Sequence, residues 1–185
     1  MVLVTPSLDH LPSYAAALGR GWGPDNTRQL ESAREQLARI EADAERFVAS
    51  LTDLEAKGAP ITLPDGSTVA RLPGYTQWMW DGEFCGNIGF RWQRGTTALP
   101  PHVLGHVGYS VPEWKRNRGH ATRALAMLLP QTKVQGLPFI ELTTDPDNLA
   151  SIRVIEANGG VLFEHFTKPP QFGSKPGLRF RIAVK

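Results

Sequence analysis

Between Gly105 and Gly160 the hydrophobic pattern of this chain alternates between strand and helix, and this limits the folds open to it. His106 to Val111 reads as a strand. From Gly119 to about Val134, Ala121, Ala124, Leu125, Leu128 and Leu129 fall at helical spacing. Phe139 to Thr143 reads as a strand again, and Asn148 to Ala157 as a short helix closed by Asn158-Gly159-Gly160, a C-cap signature. Pro130 should kink or end the first helix, because it lacks an N–H and crowds the preceding turn.

The flanking segments extend the pattern. Met1 to Thr5 reads as a short strand, and Pro6 to Leu18 as a helix ending at Gly19. Gly21 to Pro24 is a break. Leu30, Ala33, Leu37, Ile40, Ala44, Phe47, Leu51 and Leu54 then form one apolar stripe, which predicts a single long amphipathic helix of about seven turns. Asp25 to Thr27 are its N-cap candidates, and Gly58 with Pro60 ends it. Beyond Pro60, Asp65-Gly66 signals a hairpin. Tyr75 to Trp80 and Phe84 to Gln93 read as strands joined by Asp81-Gly82. In the second, Phe84, Ile88, Phe90 and Trp92 should share one face, and Cys85, Asn87 and Arg91 the other. Arg94 to Leu104 is a loop; Val161 to Phe166 and Leu178 to Val184 are final strands. The expected fold class is α/β: one domain over residues 1–185, with a helical part at 1–59 and the sheet at 60–185.

Several function classes fall away. No stretch approaches ~18 apolar residues, so no membrane span is expected. The N-terminus lacks the basic region of a signal peptide, which makes the cytoplasm the default location. The single Cys85 excludes a disulfide framework. His102, His120 and His165 have no ligand spacing, so no metal is expected. A net charge of +2 gives no argument for nucleic acid.

The chemistry lies where a helix opens at Arg116-Asn117-Arg118-Gly119-His120-Ala121-Thr122. A helix N-terminus offers unbonded N–H groups and partial positive charge. Gly119 lets backbone approach a ligand, Ala121 keeps the first turn thin, and Arg116 and Arg118 add charge. The combination suits a pyrophosphate, or it is a plain helix cap. Gly-Lys-Ser/Thr and Gly-x-Gly-x-x-Gly are both absent here. Downstream, Thr143-Thr144-Asp145-Pro146-Asp147-Asn148 follows a strand and leads to Ser151 and Gly159.

The pairing of these two segments resembles the GNAT superfamily of acetyl-coenzyme A-dependent N-acetyltransferases. Arg116, Gly119 and Ala121 match its phosphate loop, Val111 its preceding strand end, and Asn148, Ser151 and Gly159 its downstream signature. The resemblance covers roughly Pro73 to Phe166. It implies a mixed, mostly antiparallel sheet flanked by helices, with acetyl-coenzyme A as cosubstrate. The pantetheine arm would lie along Tyr109, Ser110 and Val111, where a backbone N–H stabilises the oxyanion. The N–H groups from Arg118 to Thr122 would hold the pyrophosphate, and Asn148 would meet the arm from the other side.

One departure matters: where many members place a Tyr as thiolate acid, this chain has Ile155. Ser151 is the nearest hydroxyl, either an acid for the sulfur or a small packing residue. For the base, His106 has the best intrinsic pKa, Glu141 is a charged residue inside an apolar run, and Glu83 lies at a hairpin; a water chain is the alternative. Cys85 reads as an acyl-enzyme thiol with His106, or as a small buried hydrophobe. Trp78, Trp80, Phe90 and Trp92 read as core, with one or two free to line an acceptor pocket. Lys168 to Lys175 covers the acceptor or merely connects strands. Glu113, Asp145 and Asp147 could attract a cationic amine.

The expected function is transfer of acetyl to a primary amine, on a small molecule or a protein N-terminus, by direct attack in a ternary complex. A non-catalytic acyl-coenzyme A-binding module is the alternative. A helix-mediated interaction protein rests on the Leu30–Leu54 stripe alone. The oligomeric state stays open, with a homodimer among the options.

Overall fold

A computed structural model describes residues 1–63 and 66–184. The chain opens with β1 (Val2–Val4), α1 (Leu11–Gly19), α2 (Gln29–Ala42) and α3 (Ala44–Ala49). Three two-residue strands follow: β2 (Thr52–Asp53), β3 (Ile61–Thr62) and β4 (Thr68–Val69). The long strands β5 (Gly74–Trp80) and β6 (Phe84–Arg91) lead to β7 (Val107–Ser110). Then come α4 (His120–Thr132), β8 (Phe139–Thr144), α5 (Leu149–Ala157), β9 (Val161–Thr167) and β10 (Pro176–Ala183).

The first sheet runs β1-β5-β6-β7, with β2 also on β5. The second runs β8-β10-β9, and every pairing in both is antiparallel. Helices cover both faces of the first sheet. Tyr14, Leu18 and Phe47 from α1 and α3 pack on Trp78 and Phe84. On the opposite face, Leu125 and Leu128 of α4 join Ile88, Phe90, Ile140 and Phe180, so one core underlies both sheets. Each fully buried leucine there contributes about 1.5–3 kcal/mol. Among the described residues, no helix is long and apolar enough to cross a membrane.

The expected long N-terminal helix is two helices. Asp43 is extended at φ −165°, and its carboxylate accepts the Arg46 N–H at 2.9 Å, capping α3 afresh. The stripe therefore divides. Ala33 and Phe47 are buried, Leu30 and Leu54 are exposed, and Leu51 leads into β2 rather than a further turn. The expected start of α1 also shifts, from Pro6 to Leu11.

A second correction concerns β6. Phe84 does not share a face with Ile88 and Phe90. A register shift pairs Trp80 with Phe84 and Met79 with Gly86, so one extra residue stands in β6. Parity reverses there: Phe84 turns toward α1, and Cys85 joins Ile88 and Phe90. Pro130 does not end α4, which continues to Thr132 and then tightens into a 3-10 turn at Lys133–Gln135. The Asp65-Gly66 turn falls partly outside the described residues, since Asp65 is not among them.

Candidate active site

The two sheets meet at one point. The His106 N–H donates to the Glu141 carbonyl at 2.8 Å, and the Glu141 N–H donates to His106 Nδ1 at 3.0 Å. The imidazole thus replaces a backbone acceptor and closes the seam. Beyond it, no ladder joins β7 to β8 among the described residues, and the two strands belong to separate sheets. The opening is spanned farther along by the Tyr109 hydroxyl, which donates to the Ser151 carbonyl of α5 at 3.4 Å. Burial pushes the Tyr109 phenol above its ordinary pKa, so it stays protonated at neutral pH.

The wall of this opening is built by close backbone approach. Gly86 sits at φ 147°, and a Cβ on it would stand 2.5 Å from the Ser110 carbonyl oxygen and 3.2 Å from Val111 Cα. The break between α1 and α2 is used here as well. Trp22 Nε1 donates to Ser110 Oγ at 3.0 Å, and Asn26 Nδ2 donates to the Tyr109 carbonyl at 3.4 Å. Gly23 permits the turn: a Cβ there would collide with the Gln29 carbonyl and Ser32 Oγ.

At the mouth, the loop from Arg116 to Gly119 is exposed. Asn117 has φ 61° and Gly119 φ 72°, both left-handed, a backbone form that turns N–H groups into an anion-binding concavity. The first bond of α4 runs from the Arg123 N–H to the Gly119 carbonyl at 3.1 Å. The amides of His120, Ala121 and Thr122 precede it and lie ahead of the helical ladder. Open space surrounds Gly119 where a Cβ would be. Arg116 Nε donates to the Val111 carbonyl at 3.2 Å, tying the loop to the end of β7. Opposite, the Asn148 side chain accepts the Ser151 N–H at 3.1 Å and caps α5. Asn158 Nδ2 donates to the Thr122 carbonyl at 3.2 Å, locking α5 to the first turn of α4.

The three sequence-derived base candidates are all engaged. His106 is fully buried; its Nδ1 lone pair accepts a hydrogen bond, and burial pushes its pKa down to about 4. The Glu141 carboxylate is gripped by Arg179 at 3.3 Å and by Arg181 at 3.0 Å. Glu83 pairs with Lys115. Cys85 does not meet His106: it is buried, its thiol pushed up to about 12 by burial, and its Sγ lies with Asp81 and His120. The His120 side chain turns inward to that cluster, leaving only its backbone toward the mouth. Trp78, Phe90 and Trp92 are core, whereas Trp80 is partly exposed. Asp145 is held by Lys168; Glu113 and Asp147 are exposed. Trp22, Asn26, Gly86 and Asp81 went unassigned to the site. Asp81-Gly82 reads only as a turn, and nothing in the spacing of the others points across the fold.

The sheet is thus divided between β7 and β8, with α4 following one of these strands, α5 following the other, and a basic left-handed loop leading into α4. The family model described as "Acetyltransferase (GNAT) domain" matches residues 1–161, and the chain belongs to that family. No curated protein matches the chain. Among solved structures, it is similar to the microcin C7 self-immunity acetyltransferase MccE in complex with acetyl-CoA and AMP. That match has TM-score 0.65 and 11% identity, over 98% of this chain and 91% of that one. The ribosomal L7/L12 α-N-protein acetyltransferase RimL in complex with coenzyme A matches with TM-score 0.60 and 13% identity, over 98% and 93%. Mycobacterium smegmatis RimJ in complex with CoA-disulfide matches with TM-score 0.59 and 17% identity, over 98% and 81%. The protein is an acyltransferase.

Proposed function

We propose that this protein moves acetyl from acetyl-coenzyme A to a primary amine by direct attack in a ternary complex. The observation that carries the reading is the gap between β7 and β8, flanked by the N-termini of α4 and α5. Bound acetyl-coenzyme A supplies the thioester that the amine attacks, with coenzyme A leaving as a thiolate. Residues 1–59 and 60–185 act as one unit in this reading, because Trp22 and Asn26 bond to β7.

In this reading the amides from Arg118 to Thr122, with Arg116 and Asn117, hold the pyrophosphate by charge and by the left-handed turns. The backbone of Tyr109, Ser110 and Val111 pairs with the pantetheine arm, and an N–H there takes the developing oxyanion. Asn148 fixes the arm from α5. Ser151, in the first turn of α5 with its carbonyl bonded by the Tyr109 hydroxyl, hydrogen-bonds the departing sulfur. A thiolate with pKa near about 8.5 needs little help, so a hydroxyl suffices where Ile155 replaces a Tyr. In this reading His106 and Glu141 hold the seam: the His106 Nδ1 lone pair accepts the Glu141 N–H, the Glu141 carboxylate is paired with Arg179 and Arg181, and the amine's proton leaves to solvent.

The acceptor enters from the face opposite α4 and α5. A groove of about 530 Å³ lies there, between the 97–104 loop and the outward face of the second sheet, with Glu141, Arg179, Arg181 and Phe166 in its lining. The likeness to MccE, a self-immunity acetyltransferase, and to RimL, an α-N-protein acetyltransferase, supports both a small-molecule amine and a protein N-terminus as acceptor classes. Coenzyme A release and product mass should be measured against a panel of small amines and N-terminal peptides. Acetyl on a primary nitrogen is the expected product. Turnover only with hydroxyl acceptors, or a labelled acetyl trapped on the protein as an obligatory intermediate, would overturn the reading.

A further inference from the structure

Asp81 sits in the β5–β6 turn and faces a buried cluster that the mechanism above leaves unused. Its Oδ1 accepts from Lys115 Nζ at 3.3 Å, and its Oδ2 lies 3.5 Å from His120 Nε2. Lys115 also pairs with Glu83. The Lys115 and His120 side chains are only 7% and 4% exposed, and among the described residues neither His120 ring nitrogen makes a hydrogen bond, so the Asp81 carboxylate 3.5 Å away is its nearest charged neighbour. Asp81, Cys85 and His120 bring their ligand atoms within 4.8 Å of one another, and the Lys115 ammonium supplies the cation of that cluster.

The significance lies in chain position. Lys115 immediately precedes the loop Arg116–Gly119, and His120 immediately follows it. One carboxylate therefore bonds Lys115 at one end of a four-residue loop and stands 3.5 Å from His120 at the other, and the backbone between them visits the left-handed region twice. Asn117 and Gly119 are residue types that reach the left-handed region at low cost, so the turns have local support, and where the loop sits against the first sheet depends on longer-range ties. The exposed side chains of the loop make few ties of their own: Arg116 reaches the Val111 carbonyl, and Arg123 reaches back to the Arg118 carbonyl at 3.0 Å. The Lys115 bond to Asp81, with His120 packed against the same carboxylate, connects the loop to the first sheet.

We propose that Asp81 is a positioning residue for cosubstrate binding: by holding Lys115 and His120 together it sets the shape of the intervening loop, so that the loop amides converge on the pyrophosphate. Asp81 touches no cosubstrate atom itself. The hydrogen bond from Cys85 and the bonds from Lys115 keep its carboxyl below the ordinary carboxylate range despite burial, so the ties persist at neutral pH. This inference rests on reading residues 116–122 as the pyrophosphate loop.

The test is calorimetric binding of two probes to the full chain. Coenzyme A carries the pyrophosphate; acetyl-pantetheine, titrated at millimolar concentration, lacks it. Wild type, Asp81→Asn, Lys115→Met and Gly119→Glu are compared, and thermal unfolding without ligand is recorded for each. Losing charge-assisted ties should weaken coenzyme A binding by about tenfold or more in Asp81→Asn, with acetyl-pantetheine affinity unchanged. Lys115→Met removes one tie and keeps the other, so its loss should be smaller, and adding it to Asp81→Asn should cost nothing further for that tie. Equal weakening of both probes in Asp81→Asn and Lys115→Met would mean a general structural role and overturn the inference. If Gly119→Glu abolishes coenzyme A binding while Asp81→Asn leaves it intact, the loop reading stands and Asp81 is not its anchor. If Gly119→Glu binds coenzyme A as wild type does, the loop reading fails and takes the inference with it.

Discussion

Lowering the pH from 7 to 5 should cost the fold about 2 kcal/mol through His106 alone. Burial, with a contribution from the Arg91 guanidinium and against the pull of Glu141, sets the folded imidazole at about 4, below the ordinary 6.5. The folded protein therefore keeps His106 neutral where the unfolded chain takes up a proton. Stability is complete above the unfolded value and is lost as the pH falls toward the folded one. Each unit of that gap is worth about 1.4 kcal/mol, and about one and a half units are expressed by pH 5. The structural cause is the seam: protonation turns Nδ1 from an acceptor into a donor facing the Glu141 N–H. Urea unfolding of wild type and His106→Asn at pH 7 and pH 5 isolates the effect, because Asn retains an acceptor oxygen and cannot titrate. The variant should lose about 2 kcal/mol less than wild type over this interval. The depressed His120 is present in both proteins and cancels. Equal losses in the two proteins would refute the reasoning and free His106 for another role.

Three further outcomes are expected. Gly86→Ala should drive a methyl into the Ser110 carbonyl, 2.5 Å away, costing about 1–3 kcal/mol and weakening coenzyme A binding; a wild-type melting curve and affinity would refute the close approach. Coenzyme A at 100 times its Kd should stabilise the wild type by about 2.7 kcal/mol, seen as a rise in Tm, whereas Gly119→Glu should show none. Ser151→Ala should lower kcat by about tenfold with KM nearly unchanged, the signature of a contact made mainly as the sulfur departs; full turnover would remove Ser151 from the chemistry.

Much of this protein was legible from local pattern. The strand ending near Val111, the loop around Gly119, the helix beyond it and the cap at Asn148 all depend on residues close in sequence. Spacing and capping rules reach that far. The N-terminal stripe misled for an equally local reason. Leu30 to Leu54 satisfies helical period across Asp43, and period alone does not say that a carboxylate will cap a new helix in its midst. The face of Phe84 was wrong because one inserted residue at Cys85–Gly86 reverses parity, and alternation carries no mark of a bulge.

The sequence by itself therefore determined the family and marked the loop proposed to hold the cosubstrate's phosphates, since both reside in a contiguous segment. Tertiary structure decided what each titratable side chain is free to do. His106 and Glu141 look alike in the sequence until the fold sets the His106 Nδ1 against the Glu141 N–H and two arginines, near residue 180, against the Glu141 carboxylate. Asp81 looks like a hairpin residue until Lys115 and His120 are found against it from either end of the loop. A lone pair's availability depends on partners that the chain brings in from dozens of residues away, and only the folded arrangement says which ones arrive.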